Sequence, residues 1–359
     1  MITRPTLFLD ETKCRRNIIS MAAKAEEHGL QFRPHFKTHQ SLEVGRWFKE
    51  AGVSKITVSS VSMAYYFAEE WDDITIAFPV NILEIDAINA LASRIKLSLL
   101  VENEESIDYL ERNLKHPVNA YLKIDVGSHR TGLNPAHLSR ITGLLDKLDT
   151  SSQIRFQGFL AHSGHTYQCR SVKEIQKVHA ETLAIMAKLS YEYNVRYPDL
   201  IISLGDTPSC SLAEDFTVVN EIRPGNFVFY DLVQHQIGSC TISDIAVAMA
   251  CPVVAIHEDR SEIVVYGGGV HLSKDRIEEE GRTIYGKLVK KARKGWGDLI
   301  DGAYVKSVSQ EHGIISVLPE DLKNYRIGDS LLILPVHSCM TADLVRSYTT
   351  TEGRTIPKM

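Results

Sequence analysis

The chain has 359 residues, 44% of them hydrophobic and 24% charged, with a formal net charge of −5. That is the composition of a globular protein larger than one average domain. The acidic balance and the lack of a long Lys/Arg stripe exclude a dedicated nucleic-acid binder. No apolar run approaches membrane-spanning length, and the stretch from Met1 to Thr6 lacks the apolar core of a signal peptide, so no membrane partner is expected. Cys14, Cys169, Cys210, Cys240, Cys251 and Cys339 follow no disulfide framework, which predicts reduced thiols in a cytoplasmic protein.

A helical pattern over 13–28 precedes the first short apolar run, Gln31–Phe36. Further strand-like runs follow at Lys55–Ser60, Ile74–Pro79, Lys96–Glu102, Ala120–Val126, Phe156–Ala161, Leu200–Leu204 and Glu221–Tyr230. Helical candidates at 40–51, 61–70, 82–92, 104–114, 135–148, 172–194 and 211–215 alternate with them. Eight runs in βα alternation, several apolar throughout, predict a parallel sheet with helices outside it, closing as a (β/α)8 TIM barrel over 10–240. Beyond Thr241 the pattern changes to strands and turns at Ile245–Ile256, Glu262–Tyr266, Ala303–Ser309, Gly313–Val317 and Ser330–Leu334, with a charged insertion from Lys274 to Arg293. The predicted fold is therefore α/β, a TIM barrel followed by a smaller all-β C-terminal domain over 241–359 that also takes in 1–9.

Barrel chemistry belongs at the C-terminal strand ends, and polar residues or glycines fall at every one of them. After the first run stands Arg33-Pro34-His35-Phe36-Lys37-Thr38-His39; on an extended segment Arg33, His35, Lys37 and His39 would share a face. Burying an unpaired ammonium is costly, so Lys37 reads as an amine engaged in carbonyl chemistry, against the plainer reading of a solvated basic loop. An aldehyde cofactor on a lysine needs a phosphate anchor, which Gly225 and Asn226 could supply through backbone N–H groups and Thr207 through its hydroxyl. Each of these alone reads better as a tight turn, and together with Lys37 they do not.

Arg130, in the glycine-bracketed loop after the fifth run, could aim its fork of donors at a phenolate or carboxylate, and Asp125 could partner a cation inside the barrel. His162 could face a planar ring, with His165 and Tyr167 just beyond. In His337-Ser338-Cys339 the i, i+2 spacing on an extended segment puts imidazole and thiolate on one side, suited to Zn²⁺ with positions left open. Gly267-Gly268-Gly269 lacks the dinucleotide spacing, and Glu311-His312-Gly313 reads as a turn.

Taken together, the segment Arg33–His39, Arg130-Thr131-Gly132, the run from His162 to Tyr167, the run from Gly205 to Ser209, the run from Arg223 to Asn226 and His337-Ser338-Cys339 resemble the D-serine dehydratase and D-threonine aldolase family. These are fold-type III pyridoxal-phosphate enzymes with an alanine-racemase-like barrel. The resemblance implies that Lys37 carries pyridoxal 5′-phosphate, Arg130 sits at its phenolic oxygen and His162 lies against the ring. It also implies that Tyr167 is nearby and that Thr207, Gly225 and Asn226 hold the phosphate. His337 and Cys339 would bind a divalent metal, Zn²⁺ in preference to Mn²⁺, beside the β-hydroxyl of a D-amino acid. A homodimer shaping the site with both subunits follows as well. The implied activity is dehydration of D-serine or a D-3-hydroxy amino acid to a 2-keto acid and ammonia. The alternatives are a D-threonine aldolase releasing glycine and acetaldehyde, an amino-acid racemase, and a non-catalytic pyridoxal-phosphate-binding protein.

Overall fold

The short apolar runs become strands because β-branched and aromatic residues fill them, and the intervening helices start where a polar side chain caps the first turn. The computed structural model describes residues 2–359. The first strands in chain order are β1 (Thr6–Leu9), β2 (Gln31–Phe32), β3 (Ile56–Val58), β4 (Asp73–Pro79) and β5 (Lys96–Val101). β6 (Val118–Ile124), β7 (Ile154–Ala161), β8 (Ile201–Leu204) and β9 (Glu221–Ile222) follow. Ser41, Ser60, Asn103, Ser171 and Asp206 accept hydrogen bonds from the N–H groups of Val44, Met63, Ser106, Glu174 and Ser209 and so start five of the helices. The last of these helices spans Thr207–Leu212, earlier than the expected 211–215, because Asp206 caps it and Pro208 suits its first turn.

The chain divides into two compact units, one formed by Ser20–Gly225 and the other by the residues up to Ile19 together with Asn226–Met359. In the first, eight parallel strands run in the order β2-β9-β8-β7-β6-β5-β4-β3. The sheet curls until its end strands meet: Thr57 N–H donates to the Pro34 carbonyl and Phe36 N–H to the Thr57 carbonyl, each at 2.9 Å. Proline is tolerated there because Arg33 and His35, on either side, supply the N–H groups that pair with Ile222 and Pro224.

Three sequence expectations change. Regular pairing stops after Phe32, and residues 36–39 form a turn, so Arg33 and His39 are buried while Lys37 is exposed. The four basic residues do not share a face; His39 packs instead against Phe36, Phe48 and Phe67. The run to Tyr230 is strand only at Glu221–Ile222, because Pro224 and Gly225 break it, and buried Phe227 and Val228 belong to a helical turn.

The third change concerns Lys274 to Arg293, which is structured. The second unit contains β10 (Val247–His257), β11 (Glu262–Tyr266), β12 (Ile277–Glu279), β13 (Arg282–Ile284) and β14 (Gly286–Lys291). β15 (Trp296–Val308), β16 (His312–Ser316), β17 (Ser330–Pro335), β18 (Ser347–Thr350) and β19 (Thr355–Pro357) complete it. Glu280 and Gly281 both have positive φ, 51° and 74°, the shape of a tight hairpin turn between β12 and β13. Ile277, Ile284 and Val289 join Ala248, Trp296 and Leu334 in the core, so the charges of this stretch lie on one face and its apolar residues on the other. β10, β11, β16, β15, β14 and β17 pair in a closed antiparallel ring, which β1, β18 and β19 extend.

Inside the parallel barrel, Arg33 donates to Asp73 Oδ1 at 2.6 Å and to Glu221 Oε2 at 2.7 Å. Arg33→Met leaves Glu221 buried without its partner, so it should destabilise the protein by about 3–5 kcal/mol. A lowered midpoint in urea unfolding checks this, and an unchanged midpoint would contradict it.

Candidate active site

Lys37 leaves the barrel on the turn that follows β2. Its side chain is exposed, and among the described residues its Nζ makes no hydrogen bond or ion pair. Its own backbone N–H donates to His35 Nδ1 at 3.3 Å, which holds the turn tight. Burial, and then the charges of Lys37 and Arg223, keep the His35 imidazole well below its usual pKa. His162, after β7, is held down in the same way, first by burial and then by Lys37 and Lys123. Its Nδ1–H donates to the Gly205 carbonyl, which fixes one neutral tautomer.

Sequence reasoning missed Lys123 on β6. This lysine is buried, its Nζ donates to the Ile124 carbonyl at 2.9 Å, and burial followed by repulsion from Arg223 and Arg130 lowers its pKa to about 7. The available signal was a lysine inside the otherwise apolar run Ala120–Ile124. Arg223 is buried as well; its Nε donates to Ser203 Oγ at 2.7 Å and a terminal nitrogen to the Ala161 carbonyl at 2.6 Å. Positive charge in this region thus comes from Lys37, Lys123, Arg130 and Arg223, and the carboxylates that bear on Lys123 are Asp125 and Glu102.

Arg130 lies in an exposed loop built by Asp125, whose Oδ1 accepts the N–H groups of Gly127 and His129 at 3.0 Å each. Burial opposes its ionisation, yet these bonds hold the Asp125 carboxyl below the usual range. Its oxygens are occupied by its own loop, so Asp125 organises that turn rather than binding a cation. Tyr167 sits half-buried on the helical turn Gly164–Gln168.

Thr207 is fully buried at the start of its helix. A Cβ on Gly225 would stand 2.8 Å from the His35 carbonyl oxygen, so only glycine lets the segment after β9 pass this close to the one carrying Lys37. The Asn226 side chain is committed elsewhere: its Nδ2 donates to Asp231 Oδ2 at 2.6 Å, to Ser338 Oγ at 3.1 Å and to Cys339 Sγ at 3.4 Å. Any anion contact from Asn226 therefore falls to its backbone.

His337 and Cys339 flank Ser338 where β17 gives way to the helix Ser338–Asp343. Asp231, which the sequence did not single out, accepts both the N–H of Ser338 at 2.9 Å and its hydroxyl at 3.2 Å. His337 Nδ1–H donates to Asp275 Oδ2 at 2.9 Å. Burial opposes a charge on His337, but hydrogen bonds to Asp275 and Cys339 raise its pKa to about 11. Among the described residues no group of three His, Cys, Asp or Glu side chains forms a ready metal cage, so this pair offers two ligands only. Glu311 packs near His271, 3.8 Å between Oε2 and Nε2, but His312 and Gly313 already belong to β16, so of the expected turn only Glu311 lies outside a strand.

Residues 9–232 match the family described as alanine racemase, N-terminal domain, and residues 246–351 match the putative serine dehydratase domain. The D-serine dehydratase of Dictyostelium discoideum is 30% identical over 97% of this chain and 93% of its own length. The D-threo-3-hydroxyaspartate dehydratase of Delftia sp. is 26% identical over 96% of the chain and 93% of its own. Its solved structure superposes with a TM-score of 0.92 over 100% of this chain and 98% of that one. A cysteine-to-alanine mutant of a D-threo-3-hydroxyaspartate dehydratase, solved in the metal-free form, superposes with a TM-score of 0.90 at 25% identity, over 100% of this chain and 98% of that one.

The depressed pKa of Lys123 makes a signed prediction. Between about 7 and its ordinary value of 10.5 the unfolded chain holds a proton that the folded chain does not, so this residue makes stability rise with pH across that window. Lys123→Met should therefore gain most over the native protein at about pH 7 and below, the gain fading towards about pH 10. Urea unfolding at the two ends of the window measures it, and an equal gain at both would refute the depressed pKa.

Proposed function

This chain belongs to the D-serine dehydratase and D-threonine aldolase family of alanine-racemase-like lyases, and we propose that it dehydrates β-hydroxy D-amino acids using pyridoxal 5′-phosphate and a divalent metal. D-serine or a D-3-hydroxy amino acid would be converted to a 2-keto acid and ammonia. The observation that carries this reading is Lys37, an unengaged amine set among neutral imidazoles and an excess of positive charge. An anionic aldehyde fits that environment, since its carbonyl suits Nζ and its negative charge complements Arg130, Arg223 and Lys123. Lys37 would hold the cofactor covalently, Arg130 at the phenolic oxygen, and Thr207 with the backbone of Gly225 and Asn226 at the phosphate, with Tyr167 close by. The donor set of His337 and Cys339 suits a borderline-soft ion, Zn²⁺ before Mn²⁺.

When bound, the cofactor supplies an electron sink for charge developing at Cα, and the metal supplies Lewis acidity at the β-oxygen. The chain's own groups do the rest. Once the substrate's own amine has displaced it from the cofactor, Lys37 Nζ would be free to take the proton from Cα as general base. His162 keeps its Nδ1–H on the Gly205 carbonyl and offers a neutral ring face, adding no further positive charge. His337 must give up its extra proton before Nε2 can bind a metal, which makes metal affinity pH-dependent. His337 and Cys339 would hold the metal as its two protein ligands, and the metal would supply its Lewis acidity to the substrate's hydroxyl. The reading includes a homodimer whose two copies both shape the substrate pocket.

Assay of D-serine, D-threonine and D-threo-3-hydroxyaspartate should give keto acid with ammonia; glycine with an aldehyde would assign carbon–carbon cleavage instead. Lys37→Ala should abolish the visible absorption of the lysine-bound cofactor, and persistence of that band would remove Lys37 from its role. Chelator treatment should stop turnover while leaving the cofactor bound, with activity returning on addition of Zn²⁺. Turnover that survives full metal removal would exclude His337 and Cys339 from the chemistry.

A further inference from the structure

We propose that Asp275 is a positioning residue for the metal: it holds His337 through Nδ1–H and so reserves Nε2 as the ligand atom. The inference rests on the metal reading given above. A ligand imidazole has two nitrogens, and the one that donates to a fixed acceptor leaves the other as the lone-pair donor. Asp275 Oδ2 is that acceptor, 2.9 Å from Nδ1.

An ordinary partly exposed ion pair between these side chains would contribute little. Three further features separate this contact from such a pair. Ser273, two residues earlier, is a buried non-glycine residue at φ 68° and ψ −179°, a conformation that costs about 1–3 kcal/mol and persists only where its surroundings impose it. The hydroxyl of Ser273 accepts the N–H of Asp275 at 3.1 Å, so the strained residue itself directs the aspartate backbone. The Thr341 hydroxyl donates to the Leu272 carbonyl at 3.0 Å, which ties the helix following His337 to the segment that delivers Asp275. The strain is thus stored in the short stretch 272–275, whose outward product is one carboxylate placed on one imidazole.

Asp231 performs a different task on the same element. It grips the backbone and hydroxyl of Ser338 and the amide of Asn226, while Asp275 accepts from Nδ1 of the His337 imidazole. Loss of Asp231 should therefore loosen the turn, whereas loss of Asp275 should free only the ring.

The test strips metal from the cofactor-loaded enzyme and titrates Zn²⁺ back against a chromophoric chelator, with Co²⁺ as a spectroscopic substitute. Asp275→Ala should weaken Zn²⁺ binding about 10–100-fold and shift the cobalt absorption, while the circular dichroism of the metal-free form stays that of the native fold. Asp275→Asn, which keeps size and an acceptor oxygen but not the charge, should show a smaller loss with a cobalt spectrum that still differs from the native one. Native affinity and a native cobalt spectrum in Asp275→Asn would overturn the inference, even if Asp275→Ala fails to fold. Absence of stoichiometric Zn²⁺ binding by the native enzyme would instead overturn the metal reading on which the inference rests.

Discussion

The parallel barrel depends on one chain of buried polar contacts. Arg33 on the exit from β2 bonds Glu221 on β9; Glu221 accepts from Ser203 on β8; and Ser203 accepts from Arg223, which reaches on to the carbonyl of Ala161 on β7. Four neighbouring strands are thereby stitched from the inside, where each unpaired charge would carry a heavy desolvation cost. The two arginines stand just before the residues that matter most. Arg33 lies four positions before Lys37 and Arg223 two before Gly225, so the register that satisfies the buried charges also determines where the lysine turn and the glycine crossing fall. Replacing this network with apolar side chains could yield a stable barrel, but nothing would then fix the two loops relative to each other.

The same network leaves a charge imbalance that has chemical consequences. Glu221 and Asp73 satisfy Arg33, while Arg223 is neutralised only in part, and burial lowers its pKa to about 10. Lys123, His35 and His162 sit in the resulting positive field and respond by giving up or refusing protons. A site with that field has little affinity for a cation and a strong one for a planar anion. The imidazoles matter here because, once neutral, they can pack flat against a ring without adding to the repulsion.

Periodicity alone made the barrel legible. Six of the eight strand-like runs differ from the observed strands mainly at their ends, since an apolar parallel strand flanked by capped helices has few alternative readings. Glu221–Tyr230 misled because burial of Phe227 and Val228 in a helical turn looks, in one dimension, like burial in a strand. The stretch from Lys274 to Arg293 misled for the opposite reason: surface charges masked the alternation of Ile277, Ile284, Leu288 and Val289. Lys37, His337 and Cys339 could be picked out because unusual residue types cluster in short segments. Lys123, Asp231 and Asp275 could not, since each acts across distances in sequence that only the folded chain closes: Asp275 lies 62 residues from His337, and Asp231 107 from Ser338.

A division of labour follows from that distinction. Residues proposed to touch a ligand, such as Lys37 and Arg130, can sit on turns and tolerate exposure, because a ligand would itself supply the missing partner. Residues that hold those side chains in place must already be satisfied in the folded chain, and so they are found by their hydrogen bonds rather than by their neighbours in sequence. Arg33 and Arg223 serve the lysine in this way within one unit, and Asp231 and Asp275 serve the His–Cys pair within the other. The two systems differ in kind. The barrel uses buried charge, which is stable only if every member is present, whereas the His–Cys turn relies on a strained serine and a half-exposed carboxylate. Perturbing the first should therefore be felt as loss of the fold, and perturbing the second as loss of affinity for what the turn holds.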